Sequence, residues 1–371
     1  MTFNQCKTCV MDTSDPEISF DANGNCNHCT GYFNNHSKLW YKGSIGEMKL
    51  KDQISQIKAS GEGKPYDCIL GLSGGIDSAY LALLARRWGL RPLAVHVDAG
   101  WNTEIAVRNI ENLCSKLKID LITEVIDWID MKELQYAFFK SQVVNQDIPQ
   151  DHAFFAALYK FASKNGIKYV LNGYNISSES IMSRAWRGHK AMDVKYLSSI
   201  FEKHKRANKL SNYPLLGEVK IRLWYSFFKK MRITTPLNYI DYNKELALEE
   251  LKRDVGFIDY GGKHNESRFT RFHQSYFLPV KYGFEKRKAH LSSLIVSGQI
   301  SRDEALEILK TPLYPNEIEK NNDVEYFIKK IGLSRIEFDS IMEGPIGNES
   351  LYENDNKANK ILNLFISLLR K

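Results

Sequence analysis

An α/β protein built on a doubly wound parallel sheet is what the sequence predicts, and three observations predict it. From Tyr66 onward, apolar runs of strand length alternate with segments of helical period, the order that sets parallel strands side by side with helices on both faces. The first run, Cys68-Ile69-Leu70-Gly71-Leu72, enters a glycine turn, Ser73-Gly74-Gly75-Ile76-Asp77-Ser78, that opens into a helix. The loops after later strands, Asp98-Ala99-Gly100 and Gly173-Tyr174-Asn175, are small and polar. Ligands in such sheets bind beyond the carboxyl ends of the strands, so the three loops share one rim.

Length and composition set the bounds. The 371 residues leave room for two modest domains and a small module. A hydrophobic content of 43% and a charged content of 26% fit a soluble globular chain. No apolar run reaches a membrane span, and Met1-Thr2-Phe3-Asn4-Gln5-Cys6 lacks a signal-peptide pattern. A cytoplasmic location without a membrane partner is therefore expected. The net charge of +7 admits RNA, but equally a nucleotide and a nucleotide-sugar.

In chain order, residues 1–40 form a small module. Cys6-x-x-Cys9 and Cys26-x-x-Cys29 stand sixteen residues apart, the spacing of a four-cysteine zinc site. The segment between them is rich in turn formers and ends in a hairpin at Asp21–Asn25, too little to bury a core, so a tetrahedral zinc is expected to hold it. His28 and His36 are spare candidates, and two disulfides are the alternative. Residues 41–65 read as a connector with helical spacing over Ser44–Ala59, broken at Ser60–Pro65.

The α/β domain is expected over 66–180. Its strands are Cys68–Leu72, Pro92–Val97, Asp120–Ile126 and Lys168–Gly173, and its helices Ser78–Trp88, Thr103–Leu117 and Asp151–Lys164. The strand–turn–helix at Ser73–Ser78 makes an anion site, because backbone N–H groups and the helix dipole converge there. Gly74 and Gly75 let the backbone approach a phosphate, and Asp77 suits Mg²⁺. The loop is neither a Walker A motif nor G-x-G-x-x-G, and the plainer reading is a turn between core elements. Cys68 and Cys114 read as buried, inert thiols, and His96, inside a strand, as structural rather than catalytic.

Residues 181–300 are expected to form a basic and aromatic insertion that binds substrate and pyrophosphate. Arg184, Trp186, Arg187, His189 and Lys190 begin it, and further basic residues run to Arg232. A solvated helical face, an anionic-substrate cradle and an RNA-binding face all remain open here, although no RNA-binding signature accompanies it. Lys281, Arg287 and Lys288 have a spacing that places cations over a triphosphate, where they would stabilise departing pyrophosphate; an ordinary basic helix is the alternative. Residues 301–371 read as helical, opening with the capping box Ser301-x-x-Glu304 and continuing near Val324–Ile331, Ser334–Met342 and Asn356–Leu369.

Ser73-Gly74-Gly75-x-Asp77-Ser78 resembles the PP-loop of the ATP pyrophosphatases, which cleave ATP to AMP and pyrophosphate while adenylating a substrate oxygen. That likeness implies the adenine nucleotide alpha hydrolase-like type of sheet. Together with Cys6-x-x-Cys9-Val10-Met11-Asp12-Thr13-Ser14-Asp15-Pro16, Asn23-Gly24-x-Cys26-x-x-Cys29, His264-x-Glu266-Ser267-Arg268-Phe269 and Lys286-Arg287-Lys288-Ala289-His290-Leu291-Ser292, it resembles the bacterial N-acetyl sugar amidotransferases. These act in surface-polysaccharide (lipopolysaccharide, O-antigen) and flagellin-sugar biosynthesis. The likeness runs over residues 1 to about 310.

The resemblance implies an ATP-dependent C–N ligase that turns the acetamido group of a nucleotide-activated sugar into an acetamidino group through an O-adenylyl imidate. It implies that Gly71, Leu72, Ser73, Gly74, Gly75 and Ser78 hold the pyrophosphate end of ATP, with Asp77 on Mg²⁺. His96, Val97 and Asp98 would meet adenosine, with Gly173, Asn175 and Lys288 completing the nucleotide site. Lys281 and Arg287 would stabilise transition-state charge. Arg184, Arg187, His264, Glu266 and Arg268 would meet the sugar, and Cys6, Cys9, Cys26 and Cys29 would hold structural zinc. A separate glutaminase with a cyclase-like subunit, resembling the imidazole glycerol phosphate synthase pair, is the implied ammonia source, because no glutaminase constellation stands out in this chain. The rivals are a tRNA-thiolating PP-loop enzyme, which needs a reactive cysteine or an iron–sulfur cluster, and a non-catalytic assembly module. Nucleic acid is not the expected partner.

Overall fold

A computed structural model of the chain describes residues 4–206, 209–261, 265–357, 359 and 360. Five parallel strands make one sheet: β1 (Cys68–Gly71), β2 (Pro92–Asp98), β3 (Asp120–Val125), β4 (Tyr169–Leu171) and β5 (Arg232–Thr234), in the order β3-β2-β1-β4-β5. Leu70 sits between Ala94 of β2 and Leu171 of β4. Chain direction across the sheet reverses between β1 and β4, so a crevice opens beyond Gly71 and Leu171.

Side-chain alternation along the strands divides the interior in two. Ile69, Val95 and Val170 face a core shared with Ala153, Ala157 and Phe161 of the Ile148–Lys164 helix. Cys68, Leu70, Ala94 and Leu171 face the opposite core, with Ala79 and Leu83 of the Ile76–Arg87 helix and Leu251 of the Lys244–Val255 helix. Strands buried on both faces read as continuous apolar runs, and helices on both faces are the doubly wound arrangement expected.

Two elements depart from expectation. β5 lies inside the stretch read as an insertion, so the α/β domain does not end near residue 180. Arg232 N donates to Lys168 O and Asn172 N to Thr234 O, which extends the sheet past β4. The Lys244–Val255 helix then returns to the Ile76–Arg87 helix, where Arg87 bonds Glu250 and Asp254. A strand of three residues carries no period that marks it in the sequence. The Trp128–Ser141 helix is the second departure; it opens on Asp127, whose carboxylate accepts from Ile129 N.

The cysteine module docks onto residues far along the chain. Val10 N donates to Ser292 Oγ (3.2 Å), Lys288 pairs with Asp12 (2.6 Å), Ser183 Oγ donates to Asp15 (2.7 Å), and Arg302 reaches the carbonyls of Cys6 and Cys9. Near the C-terminal end, Phe327 and Phe338 enter an aromatic cluster with Phe139, Phe269 and Phe272; the Phe272 and Phe327 rings stack at 4.2 Å. That cluster anchors the Arg268–Phe272 helix, and so sets the position of Glu266 just before it. The Ser301–Glu304 capping box forms in both directions, whereas the helix expected at Asn356–Leu369 lies largely outside the described residues. No helix among the described residues is long and apolar enough to cross a membrane.

Candidate active site

The turn after β1 is shaped by its glycines and serines. Gly74 has φ +86°, and a Cβ there would stand 2.8 Å from Ala106 Cβ, so only glycine is accommodated. Ser73 Oγ accepts from Gly75 N (3.2 Å) and lies 3.3 Å from Ser78 Oγ, which bonds Gly75 O (3.1 Å). Ile76 N donates to the Tyr260 hydroxyl at the start of the helix (3.3 Å). Hydroxyls and a helix N-terminus thus gather at one concave turn, which suits an anion.

Asp77 is held from two sides. Its Oδ1 accepts from Asn175 Nδ2 (3.1 Å) and from the Tyr242 hydroxyl (2.5 Å). Burial, and then the Asp77 charge, push the Tyr242 phenol well above its ordinary value, so it stays a donor. Asn175, fully buried, also accepts from Ser178 N and so caps its own short helix. Magnesium binds through one or two carboxylates plus phosphate oxygens. Asp77, on the wall of the crevice, offers one such carboxylate.

Two cavities meet at Ser73 and share Phe154, Phe155, Glu179 and Glu266. The smaller, ≈ 250 Å³, runs over Gly71, Gly75, Asp77, Ser78 and Gly173 and is walled by Leu158, Tyr159, Val170 and Ile233. The larger, ≈ 580 Å³, passes Leu72, His96 and Val97 to a polar wall of Asp147, Asp151, Arg187 and Lys286. Glu266 reaches this place because Asn102 bridges Ser267: Thr103 N donates to Glu266 O and Arg268 N to Trp101 O, both 2.9 Å.

The expected rim is therefore assembled. Gly71, Leu72, Ser73, Gly75, Asp77, Ser78, His96, Val97, Gly173, Arg187 and Glu266 border the cavities, and Asn175 acts from behind Asp77. His96 Nδ1 bonds Leu72 O (2.9 Å) and its Nε2 faces Asn102 Nδ2 (3.1 Å), the structural role expected of it. Asp98 lines neither cavity; its Oδ1 accepts from Gly100 N (2.8 Å) and Asn102 Nδ2 (3.3 Å) and shapes the turn.

Five expected residues are placed elsewhere. Lys281 donates to the carbonyls of Ile341, Met342 and Gly344 and caps the C-terminal end of the Arg335–Glu343 helix. Arg287 pairs with Glu285 and bonds Thr311 O, and Lys288 pairs with Asp12. Arg268 bonds Asp323 (3.1 Å) with its guanidinium 3.7 Å over the Tyr326 ring. Arg184 borders a separate surface hollow with His189 and Lys190, one that Arg187 also touches. His264 lies outside the described residues. Side chains turn by about 100° per helical residue, so a basic run on one helix fans out: Lys286 alone of Lys286-Arg287-Lys288 enters the cavity.

Lys281→Met should therefore lower the melting temperature, at a cost of about 1–2 kcal/mol for the lost bonds to three carbonyls. Phosphate-ligand binding at Ser73–Ser78 should be unchanged in equilibrium dialysis. Weakened binding with unaltered melting would return Lys281 to the site. Reading the sequence missed Lys286, Glu179, Tyr242, Tyr260, Asp147 and Asp151. Only Glu179, shortly after the Gly173–Asn175 loop, carried a positional hint.

The four cysteines form the other centre. All are buried, and their sulfurs lie within 4.8 Å of one another. Cys6 and Cys29 sulfurs are 3.9 Å apart and those of Cys9 and Cys26 3.6 Å. A disulfide needs about 2.05 Å, whereas a tetrahedral zinc with ~2.3 Å bonds sets sulfurs about 3.8 Å apart. Backbone N–H groups of Thr8, Cys9 and Cys26 point at Cys6 Sγ, and that of Met11 at Cys9 Sγ. The donor set fits zinc.

Residues 266–367 match a protein-family model described as "LPS biosynthesis protein WbpG-like, C-terminal domain". Over 320 residues the chain is 24% identical to the uncharacterized protein MJ1599 of Methanocaldococcus jannaschii, covering 85% of this chain and 96% of that one. It is 25% identical over 118 residues to the tRNA(Ile)-lysidine synthase of Chlamydia pneumoniae, which covers 31% of this chain and 34% of that enzyme. Among solved structures, the NH3-dependent NAD synthetase of Campylobacter jejuni aligns at 21% identity and a TM-score of 0.28, over 36% of this chain and 58% of that one. That superposition is too loose to bear on the fold.

Proposed function

We propose that this chain is the synthetase subunit of an ATP-dependent amidotransferase that converts the acetamido group of a nucleotide-activated sugar into an acetamidino group. The observation that carries the reading is the meeting, at Ser73, of a phosphate cradle, an oriented carboxylate and a larger cavity with one charged wall. Such a site can present the α-phosphate of a nucleotide to an oxygen of a second substrate. The match of residues 266–367 to a lipopolysaccharide-biosynthesis domain supports a sugar acceptor, since Glu266 borders both cavities.

The chemistry explains the nucleotide. An amide oxygen leaves poorly, so ammonia does not displace it. Attack of that oxygen on the α-phosphorus forms an O-adenylyl imidate and releases pyrophosphate; ammonia then adds to the imidate carbon and AMP departs. Ser73, Ser78 and the backbone at Gly74–Ile76 would hold the phosphates, and Leu72, His96 and Val97 would border the nucleoside. Asp77 would hold Mg²⁺, which when bound offsets charge on the phosphates. Holding both reactants side by side in adjoining cavities would supply much of the rate.

A thiolating role is not favoured. Cys68 and Cys114 are buried in the apolar core, where burial raises both thiols, Cys114 to about 11. Within the basic stretch, Arg206 pairs with Glu133, Arg222 with Glu218 and Lys195 with Glu353. Ammonia would come from a separate glutaminase and its cyclase-like companion. The test is a screen of UDP- and CMP-linked diacetamido sugars with ATP, Mg²⁺ and ammonium. Mass spectrometry should find O replaced by NH, with AMP and pyrophosphate released. The purified chain should use ammonium and not glutamine. Glutamine-driven turnover by the chain alone would remove the separate glutaminase, and no product from any of these sugars would remove the reading.

A further inference from the structure

We propose that Asp151, on the polar wall of the larger cavity, is the base that takes the amide N–H proton of the acceptor as its oxygen is adenylylated. This assignment rests on the amidotransferase reading above. Asp147 and Asp151 stand four residues apart where the Ile148–Lys164 helix begins, so both carboxylates share its cavity face. Their surroundings differ. Asp147 is held by His273 Nδ1 (3.1 Å), Thr270 Oγ1 (3.1 Å) and Gln150 Nε2 (3.2 Å), while His273 Nε2 bonds Val144 O (2.9 Å). It is a structural anion, with its proton affinity lowered by His273 against the opposing effect of burial.

Asp151 has no such attachment. Among the described residues its carboxylate makes no hydrogen bond or ion pair, and neither does the ammonium of Lys286 across the cavity wall. Asp151 is open to the water of the cavity and Lys286 partly so, and the two opposite charges act on each other through space without a direct bond, which leaves both free to meet a ligand placed between them. A secondary amide is a chemical match. Its N–H donates to a carboxylate, and its oxygen, which gains negative character as that proton leaves, is the atom that must attack phosphorus.

Asp151 is open to the cavity water, and the atoms crowding that wall, then the Asp147 charge, push it up to about 7, with Lys286 opposing. The same crowding pulls Lys286 down. The other charged groups bordering this cavity are Arg187, Glu179 and Glu266, and the Tyr213 phenol lies behind the helix, kept protonated by burial and by the Asp151 charge. A carboxylate that titrates near neutrality can both take a proton and release it.

The step balances. The amide oxygen bonds to the α-phosphorus and the bond from that phosphorus to the pyrophosphate oxygen breaks. The N–H proton passes to Asp151, leaving a neutral O-adenylyl imidate, and Asp151 gives it up to the departing pyrophosphate. Ammonia adds to the imidate carbon, the C–O bond to AMP breaks, and the product is the amidinium.

Pyrophosphate release is measured with ATP, Mg²⁺, ammonium and the UDP- and CMP-linked diacetamido sugars, for the parent chain, Asp151→Asn, Asp151→Glu and Lys286→Met. The parent kcat/KM should rise with pH through an inflection near 7, the value expected of the deprotonated base. Asp151→Asn should lose about 100-fold or more in kcat and lack that inflection, with ATP affinity unchanged. Asp151→Glu should recover part of the rate. Lys286→Met, by removing a positive neighbour, should move the inflection to higher pH. Parent-like rates and inflection in Asp151→Asn overturn the assignment alone. Absence of pyrophosphate release by the parent with every sugar overturns the amidotransferase reading, and the Asp151 role with it.

Discussion

Asp77→Ala is expected to release pyrophosphate at least about 100-fold more slowly than the parent chain, the scale of removing one positioned electrostatic group from a reacting centre. Its fold should persist. Asp77 caps no strand and fills no core; its Oδ1 only receives the Tyr242 hydroxyl and Asn175 amide. Leaving those donors without their acceptor costs about 1–3 kcal/mol, enough to lower the melting temperature but not to unfold the sheet. Tyr242→Phe separates the two effects. It removes one bond to Asp77 while keeping the carboxylate, so it should slow turnover far less than Asp77→Ala. Pyrophosphate release by Asp77→Ala at the parent rate would sink the metal-holding role; loss of its circular dichroism signal would show instead that the residue is structural.

Zinc bound at the four-cysteine cluster is expected to have an equally large effect when removed, on stability rather than chemistry. The module between Cys6 and Cys29 contributes few apolar side chains, chiefly Val10 and Met11, so coordination of zinc would supply most of its folding free energy. Structural zinc contributes about 10–16 kcal/mol in isolated fingers, and loss of one ligand is expected to remove about 5 kcal/mol or more of that. Elemental analysis should find zinc in the parent chain and a deficit in Cys26→Ser. Cys26→Ser or a strong chelator should also expose the 292–302 segment to proteases, because Ser292 and Arg302 bond the module directly. Equal protease resistance of the metal-free and metal-bound chains would refute a structural metal.

The centres that were legible in the sequence are those whose geometry is local. Two Cys-x-x-Cys turns bring their own thiols together, and Ser73–Ser78 folds on itself between a strand and a helix; neither needs a distant residue to take shape. What could not be read is whatever depends on packing between remote elements. Tyr242, Tyr260 and Glu266 reach the loop only after the chain has returned to the sheet through β5 and the aromatic cluster. β5 itself, Arg232-Ile233-Thr234, is recruited by the open edge of β4 rather than announced by its own period. The basic run at 286–288 shows the limit most sharply. Its charge suggests a cation over phosphate, yet helical geometry sends three neighbours to three destinations, and the expected Lys281 turns out to cap a helix end.

The seating of the cysteine module carries a consequence for synthesis. Val10 finds its partner Ser292 across 282 positions of chain. At about 5–20 residues per second, roughly 15–60 s separate the emergence of the two ends of that contact from the ribosome. During that interval the nascent module has no docking face, and its thiols are open to oxidation or to the wrong metal unless zinc binds at once. Early zinc capture would then act as a holding state for the nascent chain. Zinc starvation should therefore reduce the yield of folded protein more when applied during translation than when applied to the finished chain.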